Sequence, residues 1–193
     1  MGTVLSVNVG TGIGKAPVAG RVAVRGVNVE GDVQTDRENH GGPDQAVYAY
    51  AREAYAWWEA QLGGPLAPGL FGENVTTEGL DVDGALIGET WAFGAVVVQV
   101  AGPRIPCQKL AGAVGVPTFV KDFAAARRPG AYLRILEEGE LGAGDEIRVL
   151  HRPDHGVTLA RVNEIALFAK DQRAELLAAG DDLSVRMRTW AAQ

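Results

Sequence analysis

Short apolar segments separated by glycines dominate the middle of the chain and constrain its fold most strongly. Residues 74–77, 85–87, 90–93 and 96–100 each have the apolar or β-branched character of a short strand, and glycines lie between them. Closely spaced short strands of this kind indicate a barrel or a strongly bent sheet. The sequence therefore predicts a mainly β (α+β) domain.

Further strands are predicted on both sides of this region, at residues 3–9, 21–29, 46–50, 132–137 and 146–150. Residues 52–62 have helical spacing, and the following Gly63, Gly64 and Pro65 end that helix. Residues 108–114 and 118–126 are expected to form short helices. The aromatic residues of the first helix are expected in the core, because no basic residues are interleaved with them.

The character of the chain changes to helix from residue 157 onward. Segments 158–170, 171–179 and 183–191 carry apolar residues at helical intervals, which predicts a three-helix extension (157–193) after a β domain (1–152). Three short helices bury little surface alone, so they should pack on the β portion or on a second copy of the chain. In the second case the protein would be a homodimer.

Composition narrows the class of protein. With 193 residues and 47% hydrophobic content the chain can bury a real core, and a single cysteine cannot form an internal disulfide, so a cytoplasmic location is expected. We expect no membrane span and no signal peptide. The net charge of −6 argues against nucleic-acid binding, which needs clustered basic residues.

The one cysteine, Cys107, lies in the stretch VAGPRIPCQKL (100–110), after the predicted strand 96–100. Arg104 precedes it by three residues and Lys109 follows by two, and nearby cations favour the reactive or metal-ligating thiolate. Pro103 and Pro106 stiffen the turn. Taken alone, a single cysteine is more often a small buried hydrophobic residue than a reactive one.

Three further segments carry candidate polar groups. The glycine-rich loop 10–15 ends in Lys15, but Ala16 follows where a phosphate loop needs Ser or Thr, so we expect only an amide-rich loop able to contact an anion. His40 lies at a predicted junction between loop and strand. His151 and His155 are four residues apart, but the proline between them argues against a shared helical face.

Four strings occur in order: EGD (30–32), HGGPDQAV (40–47), FGEN (71–74) and PRIPCQKL (103–110). With these strings the chain resembles the MOSC domain (molybdenum cofactor sulfurase C-terminal domain), specifically its stand-alone bacterial YiiM-like branch. The resemblance covers about residues 3–150, and the helical tail resembles the extension of that branch. The cysteine string is its most specific element.

The resemblance implies a β-barrel-like domain in which Cys107 ligates the molybdenum of a pyranopterin cofactor. It also implies reduction of N-hydroxylated compounds (hydroxylamines, amidoximes, N-hydroxy purines), with electrons from a separate reductase. A phosphate-bearing cofactor needs cations and amides, and a proton donor is needed at the N–OH group, for which His40 is suited. The candidate cofactor-binding residues are Lys15, His40, Asn74, Arg104, Gln108 and Lys109.

Three alternatives use the same cysteine. Cys107 could carry sulfur as a persulfide, the chain could bind or store the cofactor without catalysis, or Cys107 could be the nucleophile of a hydrolase activated by His40, His151 or His155. The hydrolase lacks a strong local signature.

Overall fold

The computed structural model describes residues 2–34 and 41–193, and in this part of the chain eleven strands form two sheets. The strands are β1 (Gly2–Val9), β2 (Ala16–Pro17), β3 (Arg21–Arg25), β4 (Asn28–Val29), β5 (Val47–Ala51), β6 (Val75–Glu78), β7 (Thr90–Phe93), β8 (Val96–Pro103), β9 (Ala131–Glu137), β10 (Gly139–Gly142) and β11 (Glu146–His151).

Seven of these strands close into a barrel in the order β11-β7-β8-β9-β5-β6-β1. The barrel closes between β1 and β11, where Gly2 pairs with Ile147. Pairing is antiparallel throughout except between β5 and β6, which are parallel and are connected through a helix. Strand β2 pairs antiparallel with the end of β1. Strands β10, β3 and β4 form a separate small sheet. The predicted mainly β, barrel-like fold is confirmed.

The helices in the described residues are α1 (Arg52–Leu62), α2 (Gln108–Val114), α3 (Phe119–Ala126), α4 (Leu159–Phe168) and α5 (Val185–Ala191), with 3-10 segments at Pro43–Gln45 and Lys170–Asp182. The predicted helices at 52–62, 108–114 and 118–126 are confirmed. The second helix of the extension is 3-10 rather than α, and Gly180 departs from helical geometry within it. None of the helices in these residues is long and apolar enough to cross a membrane.

A cluster of aromatic rings joins α1 and α3 to the barrel. Phe71 is fully buried and contacts Trp58, Tyr50 and the parallel ring of Phe119. Burial of such large side chains contributes about 2–3 kcal/mol each. This packing confirms that the aromatic residues of α1 belong to the core, and it fixes the position of the residues that directly follow Phe71.

The helical extension packs on the barrel, as one of the two predicted options requires. Leu159, Val162 and Ile165 on α4 are fully buried. The Leu159 backbone N–H donates to the Ala85 carbonyl, and the Ile87 N–H donates to the carbonyl of Val157. The extension is therefore continuous with the core of the barrel domain.

Two strand predictions were wrong, and strand β10 was missed. Residues 21–29 form a hairpin, β3 and β4, rather than one strand, because the chain turns at Gly26, where φ is 59°. Residues 85–87 make only a single bridge, from Leu86 to Thr158. Strand β10 was not predicted, because the sequence GELG lacks the alternation of a half-buried strand.

Candidate cofactor site

A cavity at one end of the barrel brings together residues from six separate segments. Its empty space, counted out to the open mouth and including open solvent, is about 600 Å³. The lining residues are Gly12, Ile13, Lys15, Asp32, Val33, Gln34, Gln45, Tyr48, Gly72, Asn74, Arg104, Cys107, Lys109 and Tyr132.

Cys107 reaches this cavity from the turn between β8 and α2. Its backbone is extended (φ −136°, ψ 168°), and its carbonyl accepts the N–H of Leu110 at 3.0 Å, so α2 begins directly after it. The side chain is half-buried and lines the cavity. The sulfur therefore lies at a cavity wall, and the side chain also packs against the edge of the core, so Cys107 is not a fully buried core residue.

Arg104 is the most deeply buried cation of the site, with only 4% of its surface exposed. Its guanidinium lies over the ring of Tyr48, 5.1 Å from the ring centre, and its Nε has no hydrogen-bond partner among the described residues. Burial lowers the pKa of Arg104, but Tyr132, Tyr48 and Cys107 raise it by more, so the net pKa lies above its ordinary value. Arg104 stays charged in the cavity wall.

Lys15 and Asp32 form a second charged group in the cavity. The Lys15 Nζ lies 2.8 Å from the Asp32 Oδ2, and the side chains are only 7% and 4% exposed. Asp32 also accepts the N–H of Gly10 at 3.1 Å. Burial lowers the pKa of Lys15, and the carboxylate of Asp32 partly restores it. The glycine loop is thus fastened to the end of the small β3–β4 sheet.

Asn74 lines the cavity and also joins two strands by hydrogen bonds. Its Oδ1 accepts the Tyr48 N–H at 3.1 Å, and its Nδ2 donates to the Asn8 carbonyl at 3.4 Å. The amide therefore connects β1 to β5 where the parallel pair begins. The amide oxygen can accept two hydrogen bonds and the amide nitrogen can donate two, so beside these two bonds the side chain keeps a lone pair and an N–H for a ligand.

Glu73 lies behind the cavity wall and is fully buried. Its Oε1 accepts the hydroxyls of Tyr55 at 2.7 Å and Thr76 at 2.8 Å and the N–H of Gly69 at 2.7 Å, whereas its Oε2 has no partner among the described residues. Burial raises the pKa of Glu73, and these hydrogen bonds oppose that rise. The carboxyl group holds the FGEN turn in place.

The cavity unites most of the residues predicted from the sequence. Lys15, Asn74, Arg104, Cys107 and Lys109 all line it. Gln108 is exposed on the first turn of α2 and does not line the cavity. The predicted catalytic residue His40 lies outside the described residues, so its role stays a prediction.

The two other histidines are not in the cavity lining. His155 is held by the carbonyl of Ile87 at 2.9 Å and by the N–H of Val157 at 3.0 Å, and His151 ends β11. These positions remove both residues as activators of Cys107 in a hydrolase.

Sequence reasoning did not identify several residues of the site. Asp32 belongs to the EGD string, but its role depends on contact with Lys15, seventeen residues earlier. Tyr48 and Tyr132 occupy predicted strands and face each other across β5 and β9, with ring centres 5.0 Å apart. The EGD string marks the segment that contains Asp32 but not its contact with Lys15, and the tyrosines carry no signal that distinguishes them from core residues.

The residues of the cavity fit a cofactor that is anionic and brings its own metal ligands. In the described ranges, no group of three or more His, Cys, Asp or Glu could hold a metal ion. Among the described lining residues, one thiol, three cations (Lys15, Arg104 and Lys109) and one carboxylate give an excess of positive charge. Among the described residues, the Nε of Arg104 has no hydrogen-bond acceptor. A buried N–H without an acceptor costs free energy, so this group is suited to donate to a bound anion.

Comparison with known proteins identifies the family. Residues 36–148 match the model of the MOSC domain, which is more than half of the chain. The chain therefore belongs to the MOSC domain family, a class associated with binding of the molybdenum cofactor.

Individual relatives narrow the assignment. The chain is 41% identical to YflK of Bacillus subtilis (80% of this chain, 70% of YflK) and 31% identical to YiiM of Escherichia coli (86% and 77%). The crystal structure of YiiM from Geobacillus stearothermophilus is similar over 100% of this chain and 98% of that one, with a TM-score of 0.86 and 31% identity. Within the family this is thus a YiiM-like protein.

A fungal protein extends the comparison to enzymes. A protein of Gibberella moniliformis named a reductase is 33% identical over 59% of this chain, and the match covers 21% of that protein. The shared part is thus one section of a much longer enzyme.

Proposed function

We propose that this protein is an oxidoreductase that binds the molybdenum cofactor and reduces N-hydroxylated compounds. The observation that carries the proposal is the position of its single thiol. Cys107 lines a cavity in which Arg104 is buried with an unpartnered Nε and in which Lys15 and Lys109 supply two further positive charges. Membership of the MOSC family and similarity to a fungal reductase support this reading.

Each residue has a defined task in this proposal. The Cys107 thiolate serves as the protein's ligand to molybdenum, which accepts soft sulfur donors readily. Arg104, Lys15 and the amides of the glycine loop hold the phosphate of the cofactor, because charge-assisted hydrogen bonds to phosphate are strong. When bound, such a cofactor supplies two-electron oxygen-transfer chemistry that no amino-acid side chain provides.

The walls of the cavity fit a small, flat substrate. Tyr48, Tyr132 and Ile13 give an aromatic and aliphatic surface next to the cationic groups, which favours a planar amidine or purine. His40 remains our proposed proton donor to the N–OH oxygen. Electrons come from a separate reductase in this proposal, because a single cysteine cannot bind an iron–sulfur cluster.

The test compares wild type with Cys107→Ser and Cys107→Ala, all purified from a host that makes the molybdenum cofactor. We expect near-stoichiometric molybdenum and pterin in wild type, a large loss of molybdenum in both variants, and reduction of 6-hydroxylaminopurine by wild type with a reduced viologen dye. Cys107→Ser keeps the side-chain shape, so its loss of metal would be due to the sulfur.

Other outcomes would contradict the proposal. A wild type that binds the cofactor but does not reduce the purine would be a binding or storage protein. A protein without molybdenum that transfers persulfide sulfur from Cys107 would be a carrier.

A further inference from the structure

The helical extension meets the barrel at a corner formed by residues 181–185, between the 3-10 segment and α5. Four of its backbone groups make hydrogen bonds to the barrel domain. The carbonyls of Asp181 and Leu183 accept from the Arg134 guanidinium at 3.3 and 3.1 Å, the Ser184 N–H donates to the Ala101 carbonyl at 3.0 Å, and the Val185 N–H donates to the Asp44 Oδ2 at 2.8 Å. This corner is therefore bonded to the barrel rather than merely packed on it.

An ion pair between Arg134 and Asp44 connects these contacts. The Arg134 Nε lies 2.5 Å from the Asp44 Oδ1, and the two side chains are 17% and 23% exposed. Arg134 also donates to the Gln99 Oε1 at 2.9 Å, and Gln99 in turn donates to Asp182 at 3.0 Å. Because all these bonds converge on a largely buried pair, removing one partner should leave the other charge poorly satisfied.

The barrel residues in this network adjoin the cavity. Asp44 is next to Gln45, Arg134 is two residues from Tyr132 on β9, and Ala101 is three residues from Arg104. The shortest connection between this network and the cavity runs from Asp44 to Gln45, within the 3-10 turn Pro43–Gln45. Among the described residues the turn is also held through Gln34, whose Oε1 accepts the Gly42 N–H at a long 3.3 Å.

We propose that the extension sets the shape of the cavity through the Asp44–Arg134 pair, which holds the Pro43–Gln45 turn so that Gln45 closes one wall. Asp44 and Arg134 are positioning residues in this proposal, since neither lines the cavity. The inference deepens the proposed function. It rests on that function only for the identity of the molecule that the cavity binds. The shape of the wall can be measured without any cofactor.

The test uses the reaction of Cys107 with iodoacetamide in the purified protein, because Cys107 is the one cysteine of the sequence. We expect Asp44→Ala and Arg134→Gln to raise the alkylation rate at least fivefold, with a parallel loss of amide hydrogen-exchange protection in residues 43–48. Asp44→Asn keeps an acceptor for the Val185 N–H and loses the charge, so it should fall between wild type and Asp44→Ala.

Glu59→Ala is the matched control. Glu59 also pairs with an arginine, Arg52 at 2.8 Å, also accepts a backbone N–H, that of Leu66 at 3.0 Å, and is 21% exposed. It does not line the cavity. A similar loss of thermal stability in both alanine variants, with faster alkylation only in Asp44→Ala, would separate positioning of the wall from general destabilisation.

Two results would overturn the inference: an unchanged alkylation rate in Asp44→Ala, or lost protection confined to residues 181–191. Failure of the proposed function has a different signature. In that case wild type would lack molybdenum while the alkylation rates still differ between wild type and Asp44→Ala.

Discussion

Lys15 and Asp32 form an ion pair inside the cavity, with Nζ and Oδ2 2.8 Å apart and less than a tenth of either side chain exposed. The pair places a carboxylate among three cations. It therefore moderates the positive potential around Cys107.

Asp32→Asn should raise the preference of Cys107 for anionic reagents. At pH 6.5 the rate of alkylation by iodoacetate relative to iodoacetamide should rise about fivefold, because removing one negative charge from the cavity changes the local energy by roughly 1 kcal/mol at intermediate dielectric. The gain should fade as pH rises, because burial lowers the pKa of Lys15 and the variant lacks the carboxylate that partly restores it.

Asp145→Asn is the control for this experiment. Asp145 likewise accepts from a cation, Arg21 at 2.7 Å, and from a backbone N–H, that of Gly142 at 3.0 Å, but it does not line the cavity. An equal change of the rate ratio in both variants would show that the ratio does not report on the cavity.

Gly72→Ala should narrow the cavity beside Arg104. Gly72 lines the cavity with φ of +81°, and a Cβ there would occupy space in van der Waals contact with the Arg104 Nη1 and the Ile13 Cγ1, both at 3.4 Å. We expect a several-fold lower pterin content, with about 1 kcal/mol of destabilisation from the positive φ. Gly63→Ala at φ +78° meets no atom within 4 Å, so it should carry the same backbone cost without the loss of pterin. Equal pterin content in the two variants would refute the role assigned to Gly72.

Asp83→Asn should change how stability depends on pH. Burial raises the pKa of Asp83 from 3.8 to about 6, although the Gly130 N–H donates to it at 3.0 Å. A raised folded-state pKa means that this group's stabilising contribution is fully present below pH 3.8 and is lost as pH rises through about 6.

Relative to wild type, the asparagine variant should therefore gain roughly 2–3 kcal/mol in free energy of unfolding between pH 4 and pH 7.5. Urea unfolding at several pH values measures this difference. A constant difference across that interval would exclude Asp83 as the titrating group.

His40→Ala should lower the turnover of 6-hydroxylaminopurine by about 10²-fold, as expected for loss of a general acid. Molybdenum and pterin content should stay at the wild-type level, because the metal ligand in this proposal is Cys107. Metal analysis alongside steady-state kinetics distinguishes a proton donor from a cofactor-binding residue. Unchanged turnover would remove His40 from the mechanism.

Local patterns were sufficient to predict much of the barrel. Helix α1 could be predicted because its aromatic residues recur at helical spacing and Gly63 ends it at a left-handed φ of 78°. The hairpin β3–β4 could not, because RVAVRGVNV alternates regularly through Gly26 and the turn shows only in the backbone angle of that glycine. Periodicity reports which residues face the core, whereas it does not report where a strand reverses.

The site could be predicted only where motifs mark it. Cys107 and Arg104 belong to one short string, and both line the cavity. Asp32 is placed by its contact with Lys15, and Gln45 by the turn that precedes β5, so both depend on tertiary contacts that no local pattern encodes. Asp44, in the same motif as His40, makes its bonds to residues 90 and 141 positions later.

The pairing of Gly2 with Ile147 determines when during synthesis the barrel can form. The chain past β11 must leave the ribosome before β1 can pair with β11, so these two strand edges of the nascent domain stay open until then. Such edges are prone to mispairing with other chains. The 181–185 corner leaves the ribosome later still, and the cavity wall is therefore among the last parts of the molecule to be completed.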